Sequence, residues 1–333
     1  MTIKKNEELK DTLIIIPCLN EEAHIAHLLE WLTSEYQDKG ATIIVADGGS
    51  TDSTITIIKD IASRNPSLKY LHNPKKLQSA AVNLAVKEYS NGKKYLIRID
   101  AHSKYPKDYC SKLIEEAEKI DCDSITVSML SIGSDGFQML AALAQNSKLG
   151  NGGSVHRLLS EGQYVDHGHH ALMKIEAFSA VGGYDETYSH NEDAELDIRL
   201  RQANFKIWHT ATTFIEYFPR DNPARLFRQY VSYGKGRAKS YLKHKYKLKL
   251  RQLLPIMVFP AAVLALIGVF TNIILALPFV LWLLASVLLA LDLAIKEKKI
   301  AGFFAIFPAV IMHFSWSFGF WAGLFLEKLK NDK

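Results

Sequence analysis

The sequence predicts an α/β protein with a mostly parallel sheet and flanking helices, followed by C-terminal transmembrane helices. The sheet is predicted because short apolar runs alternate with helical patterns in the first part of the chain. The membrane helices are predicted because residues 253–291 contain no ionisable side chain, and residues 300–326 contain only His313. These runs of 39 and 27 residues exceed the roughly 20 residues that a helix needs to span a bilayer.

The elements of the predicted sheet follow one another in order. Apolar or β-branched runs predict strands at residues 13–17, 42–46, 69–71, 95–99 and 124–129. Helical spacing of apolar residues predicts helices at residues 21–32, 53–62, 79–89, 106–120 and 191–203, the last with Asn191 as N-cap. Residues 131–188, rich in glycine and histidine, are predicted to be irregular.

Polar clusters follow three of the predicted strands: Asn20-Glu21, Asp47-Gly48-Gly49-Ser50 and Asp100-Ala101-His102. The carboxyl ends of parallel strands meet at one edge of a sheet, where ligands bind. We therefore expect these three clusters to converge.

A cationic segment precedes the first apolar run. Eight basic residues and no acid lie between Lys235 and Arg251. The block could bind nucleic acid or be a solvated face, but its position favours a juxtamembrane segment on anionic lipid. The positive-inside rule then places it on the cytoplasmic side.

The N-terminus indicates a cytoplasmic catalytic part, whereas the cysteines are uninformative. Residues 1–11 are polar and contain no apolar signal region. The three cysteines are widely spaced and form neither a disulfide framework nor a paired metal motif.

Four motifs in the right order resemble the family 2 glycosyltransferases, which have the GT-A fold. They are Ile16–Glu22 (IPCLNEE), Ala46–Asp52 (ADGGSTD), Ile99–His102 (IDAH) and Asn191–Leu196 (NEDAEL). The resemblance covers about residues 12–240 and, through Arg98–His102 with Tyr105-Pro106, is nearest to members that act in bacterial exopolysaccharide synthesis.

The resemblance implies that Asp47 binds the nucleotide base of a sugar donor. Pro17, Asn20, Glu21 and Gly48 would line the same pocket. The alternative is a strand-to-helix turn in which Asp47 only satisfies backbone amides. Lys76 is a further candidate for binding base or phosphate, or else a solvated loop lysine.

Asp100 and His102 stand where the family carries its Asp-x-Asp metal motif. A divalent cation, Mn²⁺ or Mg²⁺, would neutralise the diphosphate leaving group, and a histidine ligand favours Mn²⁺. Because this motif departs from Asp-x-Asp, Asp100 could instead bind ribose, and His102 could contact the diphosphate without binding metal.

The resemblance also implies that Asp193 is the catalytic base and that Glu192 beside it contacts substrate. The alternative is that the acids in this first helical turn only stabilise the helix, by about 0.3–1 kcal/mol, through its dipole.

Among the three histidines of residues 166–170, the resemblance implies that His169 faces the acceptor. The spacing of the three histidines is not a recognised zinc motif. Arg237 could contact a diphosphate or lie on the membrane surface.

The predicted organisation is a GT-A domain at 1–230, a basic segment at 231–252, a membrane region at 253–326 and a polar tail at 327–333. Membrane segments are expected at about 253–271, 273–291 and 300–326 in a multi-pass cell-membrane protein. The first two form a hairpin with cytoplasmic ends. A spanning third segment would place Lys328 outside, against the charge rule, whereas a re-entrant segment would not.

The predicted function is inverting transfer of a single sugar, a hexose, from a UDP-sugar to a polyprenyl-diphosphate-linked saccharide. A processive synthase is an alternative, but the Gln-x-x-Arg-Trp motif of processive members is absent. The other alternative is a non-catalytic nucleotide-sugar-binding scaffold. Membrane lipids are expected partners and nucleic acid is not.

Overall fold

An eight-stranded mixed sheet lies at the centre of the N-terminal part of the chain. The strands are β1 (Thr12–Cys18), β2 (Thr42–Asp47), β3 (Leu68–His72), β4 (Tyr95–Arg98), β5 (Ser124–Ser131), β6 (Gln163–Tyr164), β7 (His169–Lys174) and β8 (Ile207–Tyr217). Their order is β3-β2-β1-β4-β7-β5-β8-β6. The first four are parallel neighbours, and β7 is antiparallel to both β4 and β5. The α/β class and the mostly parallel first half of the sheet are therefore confirmed.

Fourteen α-helices are found in the part of the chain that this computed structural model describes, which is residues 8–152, 161–246, 248 and 250–331. Those up to the end of β8 are α1 (Ile25–Tyr36), α2 (Thr54–Arg64), α3 (Gln78–Tyr89), α4 (Tyr109–Lys119), α5 (Gly136–Gln145), α6 (Lys148–Asn151), α7 (Ile175–Ala180) and α8 (Glu192–Gln202). The remainder are α9 (Pro223–His244), α10 (Leu250–Ile256), α11 (Val258–Phe270), α12 (Leu277–Glu297), α13 (Ala301–Phe304) and α14 (Ile306–Asn331).

The chain forms two units. One contains Met1–Met129 and Leu159–Glu216, and the other contains Leu130–Leu158 and Tyr217–Lys333. We refer to the first as the catalytic unit, because it contains most of the residues that the sequence predicts to be catalytic or substrate-binding, and to the second as the C-terminal unit. They group residues by proximity, and the domain limits of the sequence analysis stay predictions.

Both faces of the sheet are covered, which explains the uninterrupted apolar run of β1. Ile14 and Ile16 belong to one hydrophobic cluster, whereas Leu13 and Ile15 belong to a second cluster on the other face. Strands of a parallel sheet that are buried on both faces lose the alternation of polar and apolar residues.

The prediction that residues 131–188 are irregular was wrong. The described part of this stretch contains α5, α6, α7, β6 and the central strand β7. β7 was not predicted because its first two residues, His169 and His170, are polar and do not fit the apolar pattern of a buried strand. Tertiary contacts bury His170 fully and leave 14% of the His169 side chain exposed. The strand β8 was not predicted either.

The C-terminal unit contains a helix break that its neighbours repair. Pro260 has no amide hydrogen, so the carbonyl of Ile256 lacks its helical donor. That carbonyl accepts from Ser317 Oγ at 2.6 Å and from Trp321 Nε1 at 2.9 Å. Ser317 Oγ in turn accepts from the Phe259 amide at 2.9 Å. Side chains of α14 thus satisfy the backbone freed between α10 and α11.

Among the described residues, two helical segments are long and apolar enough to cross a membrane, Ile273–Glu297 and Ala301–Leu329. The first expected membrane segment, 253–271, is divided at Met257, and α11 has only 13 residues. Some predicted positions lie outside the described residues: Lys247 and Lys249 of the basic segment, residues 332–333 of the tail, and residues 1–7 of the polar N-terminus.

Candidate active site

The polar clusters that follow β1, β2 and β4 converge at one edge of the sheet, as predicted. The Gly48 amide donates to the Cys18 carbonyl at 2.9 Å, which joins the first two clusters. His102 Nδ1 lies 3.0 Å from Glu21 Oε1, which joins the first and the third. Parallel pairing of β1 with β2 and β4 is the cause, because it brings the three carboxyl ends together.

Reciprocal hydrogen bonds fix the loop after β1 to the loop after β2. The Asn20 amide donates to Ser50 Oγ, and the Thr51 amide donates to Asn20 Oδ1, both at 2.8 Å. The Glu21 amide donates to Thr54 Oγ1, also at 2.8 Å. Asn20 has a φ of 56°, a left-handed conformation that asparagine tolerates. These hydrogen bonds hold the two walls of the site together.

Asp47 is fully buried beneath this edge. Its Oδ1 accepts from the amides of Gly49 and Ser50 at 2.9 and 3.0 Å, and Oδ2 accepts from the Ser50 hydroxyl. Cys18 Sγ lies 3.5 Å from the same Oδ2. This is the turn arrangement that the sequence left open as the alternative, while base binding by Asp47 stays a prediction.

Gly48 and Lys76 approach each other closely in the same region. A Cβ atom at Gly48 would lie 3.3 Å from Lys76 Cα. Lys76 is exposed and has a φ of 60°, an unusual backbone conformation for a lysine. A side chain at position 48 would therefore require the loop after β3 to shift by a few tenths of an ångström.

A single guanidinium joins three carboxylates at the centre of the site. Arg98 is the last residue of β4 and only 5% of its side chain is exposed. Its Nη1 donates to Asp193 Oδ1 at 2.8 Å and lies 3.7 Å from Glu192 Oε1. Its Nε donates to Asp100 Oδ1 at 3.2 Å. Arg98 therefore links the end of β4 to the start of α8.

Further donors hold the two aspartates in place. Tyr184 donates its hydroxyl hydrogen to Asp193 Oδ1 at 2.8 Å. Gln78 Nε2 donates to Asp100 Oδ1, also at 2.8 Å. Each aspartate thus has one oxygen fixed by donors and a second oxygen, Oδ2, turned toward His169.

The charge cluster separates the pKa values of adjacent carboxyl groups. Burial alone raises the pKa of Asp100, but Arg98 and His169 outweigh burial and lower it to about 2. Burial likewise raises the pKa of Asp193, and Arg98 then His170 bring it below its usual value. Burial and the charge of Asp193 together raise the pKa of Glu192 to about 7. Near neutral pH the cluster therefore holds two ionised aspartates and a glutamate close to its midpoint.

His169 lies between the two aspartates. Its Nε2 is 3.7 Å from Asp100 Oδ2 and its Nδ1 is 3.8 Å from Asp193 Oδ2. Burial lowers the pKa of His169, so the imidazole is neutral at physiological pH. A neutral ring can accept a proton on one side and donate on the other.

The other two histidines of the 166–170 stretch bind a different carboxylate. His167 Nδ1 is 2.6 Å and His170 Nε2 is 2.9 Å from the two oxygens of buried Asp197. Asp197 lies one turn after Asp193 on α8. The pairing of β5 with β7 shifts by one residue between Ile125 and Thr126, and such bulges re-aim side chains. The three histidines therefore do not form one cluster, because His167 and His170 share Asp197 whereas His169 lies near Asp100 and Asp193.

The residues at the Asp100 edge fit a divalent cation held jointly with a diphosphate. No three acidic, histidine or cysteine side chains among the described residues are grouped to hold a metal by themselves. Cations bound with substrate phosphates need only one or two protein ligands. Asp100 Oδ2 and the His102 ring supply an oxygen and a nitrogen at this edge, and His102 is 55% exposed.

Most of the predicted site residues lie in the catalytic unit, in two groups. Pro17, Asn20, Glu21, Asp47, Gly48, Lys76 and His102 belong to the loops at the strand ends, and Asp100, His169, Glu192 and Asp193 surround Arg98. Arg237 belongs to α9 of the C-terminal unit, and its role stays a prediction. Asn191 is the N-cap residue of α8, as predicted, with a φ of 64° and without a capping hydrogen bond from its side chain.

Sequence reasoning assigned no role to Arg98, Tyr184, Gln78 or Asp197. The sequence could have indicated the role of Arg98, because a buried arginine in the apolar strand Tyr95–Arg98 needs a counter-charge nearby. Residues 98 and 100 also face the same side of an extended chain. Tyr184 follows two glycines and carries no comparable signal.

Comparison with known proteins agrees with this geometry. Residues 13–182 match the family model described as glycosyl transferase family 2. The chain is 49% identical over 321 residues to the succinoglycan biosynthesis protein ExoA of Rhizobium meliloti (strain 1021), covering 96% of this chain and 97% of that protein. It is 25% identical, over 93% of its length and 96% of the relative, to a dolichyl N-acetyl-α-D-glucosaminyl phosphate 3-β-D-2,3-diacetamido-2,3-dideoxy-β-D-glucuronosyltransferase of Methanococcus voltae.

Two solved structures share the fold. The mannosyltransferase PcManGT from Pyrobaculum calidifontis, in complex with GDP-Man and Mn²⁺, has a TM-score of 0.53 and 15% identity, covering 91% of this chain and 86% of that one. S. aureus TarS 1-349 in complex with UDP-GlcNAc has a TM-score of 0.50 and 13% identity, covering 94% and 92%. The predicted GT-A fold is confirmed, and so is the resemblance to exopolysaccharide-type members.

Proposed function

This chain belongs to glycosyl transferase family 2 and is a glycosyltransferase, and on that premise we propose that it transfers one sugar, with inversion, from a UDP-sugar to a polyprenyl-diphosphate-linked saccharide. The observation that carries the proposal is the cluster around Arg98. It joins Asp100, at the strand edge where a donor diphosphate would bind, to Asp193, at the start of α8. A donor-side and an acceptor-side carboxylate are thereby held in one arrangement.

The donor would bind along the loops that follow β1 to β4. Asp47, Gly48 and Glu21 would line the base pocket, and exposed Lys76 would contact base or phosphate. Asp100 Oδ2 and His102 would hold a divalent cation, which neutralises charge on the departing diphosphate. The PcManGT complex contains GDP-Man and Mn²⁺, which supports Mn²⁺ here.

Asp193 would act as the base on the acceptor side. As the acceptor oxygen forms a bond to C1 of the sugar, the bond from C1 to the diphosphate oxygen breaks with its electron pair. Asp193 takes the acceptor proton, and Oδ2 is the oxygen placed to do so because Arg98 and Tyr184 occupy Oδ1. Glu192 and His169 lie beside it as acceptor contacts.

The relatives support the proposed pathway and acceptor. The R. meliloti protein acts in succinoglycan biosynthesis, and the M. voltae protein is named for a dolichyl-phosphate-linked sugar. We infer synthesis of an exopolysaccharide or cell-surface glycan on a lipid carrier. The apolar helices of the C-terminal unit would hold the enzyme in the cell membrane, with the catalytic unit in the cytoplasm, so that the acceptor is locally concentrated.

The test is a donor screen with the full-length protein in detergent. Release of nucleoside diphosphate is measured for a panel of UDP- and GDP-sugars with Mn²⁺, with Mg²⁺ and with EDTA. We expect turnover of one UDP-sugar that EDTA removes and Mn²⁺ restores. Calorimetric binding of UDP should also depend on the cation.

Matched variants make the outcome specific. Asp100→Asn should abolish cation-dependent UDP binding, and Asp60→Asn, on the exposed face of α2, should not. If UDP binds equally well with and without a cation, the metal assignment is wrong. If no nucleotide-sugar is turned over with any acceptor tested, the transferase mechanism proposed for these residues is wrong.

A further inference from the structure

The two apolar segments of the C-terminal unit differ in their surroundings. In the apolar stretch of Ile273–Glu297, 17% of the residues are buried inside the protein, compared with 44% in Ala301–Leu329. The turn between α11 and α12 is open: Phe270 is 81% exposed and Ile274 is 69% exposed. The α11–α12 hairpin therefore needs lipid around it, whereas much of α14 is covered by protein.

The helix that covers α14 is α9, and the contact is between backbones. A Cβ atom at Gly319 would lie 2.2 Å from the Val231 carbonyl oxygen, and one at Gly234 would lie 2.1 Å from that of Trp316. Further along, a Cβ at Gly323 would lie 3.0 Å from Ala238 Cβ. Small residues on both helices allow this approach. Val231 contacts Gly319 and Ala238 contacts Gly323, so contacts at either end of this stretch advance in the same order, and α9 and α14 run side by side in the same direction.

α9 is strongly cationic along its whole length. No Asp or Glu occurs from Asn222 to Leu291, and α9 carries Arg225, Arg228, Lys235, Arg237, Lys239 and Lys243. Its 22 residues extend about 33 Å, which is close to the thickness of the hydrocarbon core. If α14 crossed the bilayer, the neighbouring α9 would carry several of these charges into the hydrocarbon, where ionised side chains are costly.

The remaining surface of α14 is an apolar and aromatic stripe. Phe318, Trp321, Phe325 and Leu329 recur every three or four residues, and each is between 37% and 65% exposed. The α9–α14 pair thus has one edge of aromatic and aliphatic side chains and another edge of cations. An amphipathic surface of this kind is typical of helices that lie in the membrane interface, where tryptophan is also enriched.

We propose that α9 and α14 lie together in the plane of the membrane surface on the side of the catalytic unit. The cationic side chains of α9 then contact anionic phospholipid headgroups, and the aromatic stripe of α14 enters the interface. Only the α11–α12 hairpin penetrates the hydrocarbon core, entering and leaving on the same side. The C-terminus, with Lys328, therefore stays on the side of the catalytic unit, in agreement with the positive-inside rule. This arrangement holds whichever sugar is transferred.

The first test is the sidedness of the C-terminus in the full-length protein. Lys328→Cys and Glu88→Cys, the latter an exposed position of α3, are each labelled with a membrane-impermeant maleimide in sealed vesicles of both orientations. The three native cysteines are buried and give a low background. We expect both variants to be labelled in the same vesicle orientation. Labelling in opposite orientations would show that α14 crosses the membrane and would overturn the proposal.

The second test is the depth of α14. Spin labels at the exposed positions Phe307, Phe318 and Phe325, introduced as single cysteines, are measured in lipid nanodiscs for collision with oxygen and with a water-soluble nickel complex. An in-plane helix gives three similar, shallow depths. A spanning helix gives a deep position between shallower ones, and that result would overturn the proposal even if the sidedness labelling failed.

The third test addresses the lipid headgroups. Spin-labelled phosphatidylglycerol and phosphatidylcholine are compared for their association with the reconstituted protein. Arg228→Gln/Lys235→Gln should lower the preference for phosphatidylglycerol by roughly fivefold for each cation removed. Lys69→Gln/Lys87→Gln, which removes two cations from the catalytic unit, should leave it unchanged. An equal effect of the two pairs would contradict headgroup binding by α9.

Discussion

The catalytic unit and the C-terminal unit bury their polar groups by opposite means. Around Arg98 the catalytic unit gathers charges: one guanidinium faces three carboxyl groups. Around the free carbonyl of Ile256 the C-terminal unit uses only neutral donors, the Ser317 hydroxyl and the Trp321 indole. The charged cluster sets pKa values and so prepares chemistry, whereas the neutral contacts only satisfy backbone where water is absent. Removing one partner should therefore lower the activity or the free energy of unfolding far more in the first region than in the second.

The largest effect should come from Asp193→Asn. Asparagine can still accept hydrogen bonds from Arg98 and Tyr184, but it cannot take the acceptor proton. Turnover should fall by about 10²–10⁴-fold, while calorimetric donor binding stays close to that of the native protein. Asp60→Asn is the surface control. Native turnover by the Asp193 variant would mean that another group is the base.

The next largest effect should come from Arg98→Met. This change leaves Asp100, Glu192 and Asp193 buried without their cation, and breaking a buried ion pair costs about 3–5 kcal/mol. Chemical denaturation of the detergent-solubilised protein measures the loss. Arg201→Met is the control, since Arg201 is 41% exposed and lies 3.9 Å from Asp166. A loss as small as that of the control would show that the cluster does not depend on Arg98.

A pH dependence of stability should follow from Glu192. Its folded pKa of about 7 lies above its ordinary value of 4.5, so the folded state binds the proton more tightly than the unfolded state. The stabilisation is complete below about pH 4.5 and is lost as the pH rises to about 7, a change of order 3 kcal/mol at most. Glu192→Gln should show a flatter profile of unfolding free energy between these pH values. An unchanged slope would contradict the raised pKa.

The smallest effect should come from Ser317→Ala in the C-terminal unit. The Ile256 carbonyl keeps the Trp321 donor but the Phe259 amide loses its acceptor, so the loss should be about 1–3 kcal/mol. Thermal unfolding in detergent is the measurement. Ser317→Ala/Trp321→Phe leaves that carbonyl without either donor and should cost clearly more than the sum of the single changes. If the double variant were additive, the two donors would act independently and the comparison between the units would weaken.

Much of the donor edge could be predicted because strand ends are local features. Asp47, Asp100 and the loop at Asn20 each follow an apolar run, and parallel pairing brings such ends together without further information. Asp193 could be proposed only by resemblance, because Glu192, Glu195 and Asp197 share its helical turns and its charge. The structure distinguishes them by contacts: Asp193 faces Arg98 and Asp197 faces His170.

The histidines show why the remainder could not be predicted. His169 and His170 are adjacent and chemically identical, yet one faces Asp193 and the other faces Asp197. Their separation depends on the alternation of β7 and on a bulge in its pairing with β5. Neither the strand nor its register is visible in the glycine- and histidine-rich stretch of sequence.

The sequence alone determined the α/β class, the order of the strand-end motifs, the family and the presence of apolar segments long enough to cross a membrane. The class and the apolar segments depend on composition and periodicity within about twenty residues, where the chain interacts mainly with itself. The family was indicated by the resemblance of four short motifs taken in order. The tertiary structure alone decided which carboxyl groups share Arg98 and which apolar helix is covered by a cationic neighbour. Those outcomes depend on contacts between residues 95 positions apart, as for Arg98 and Asp193, and they arise only when the folded chain brings distant charges and surfaces together.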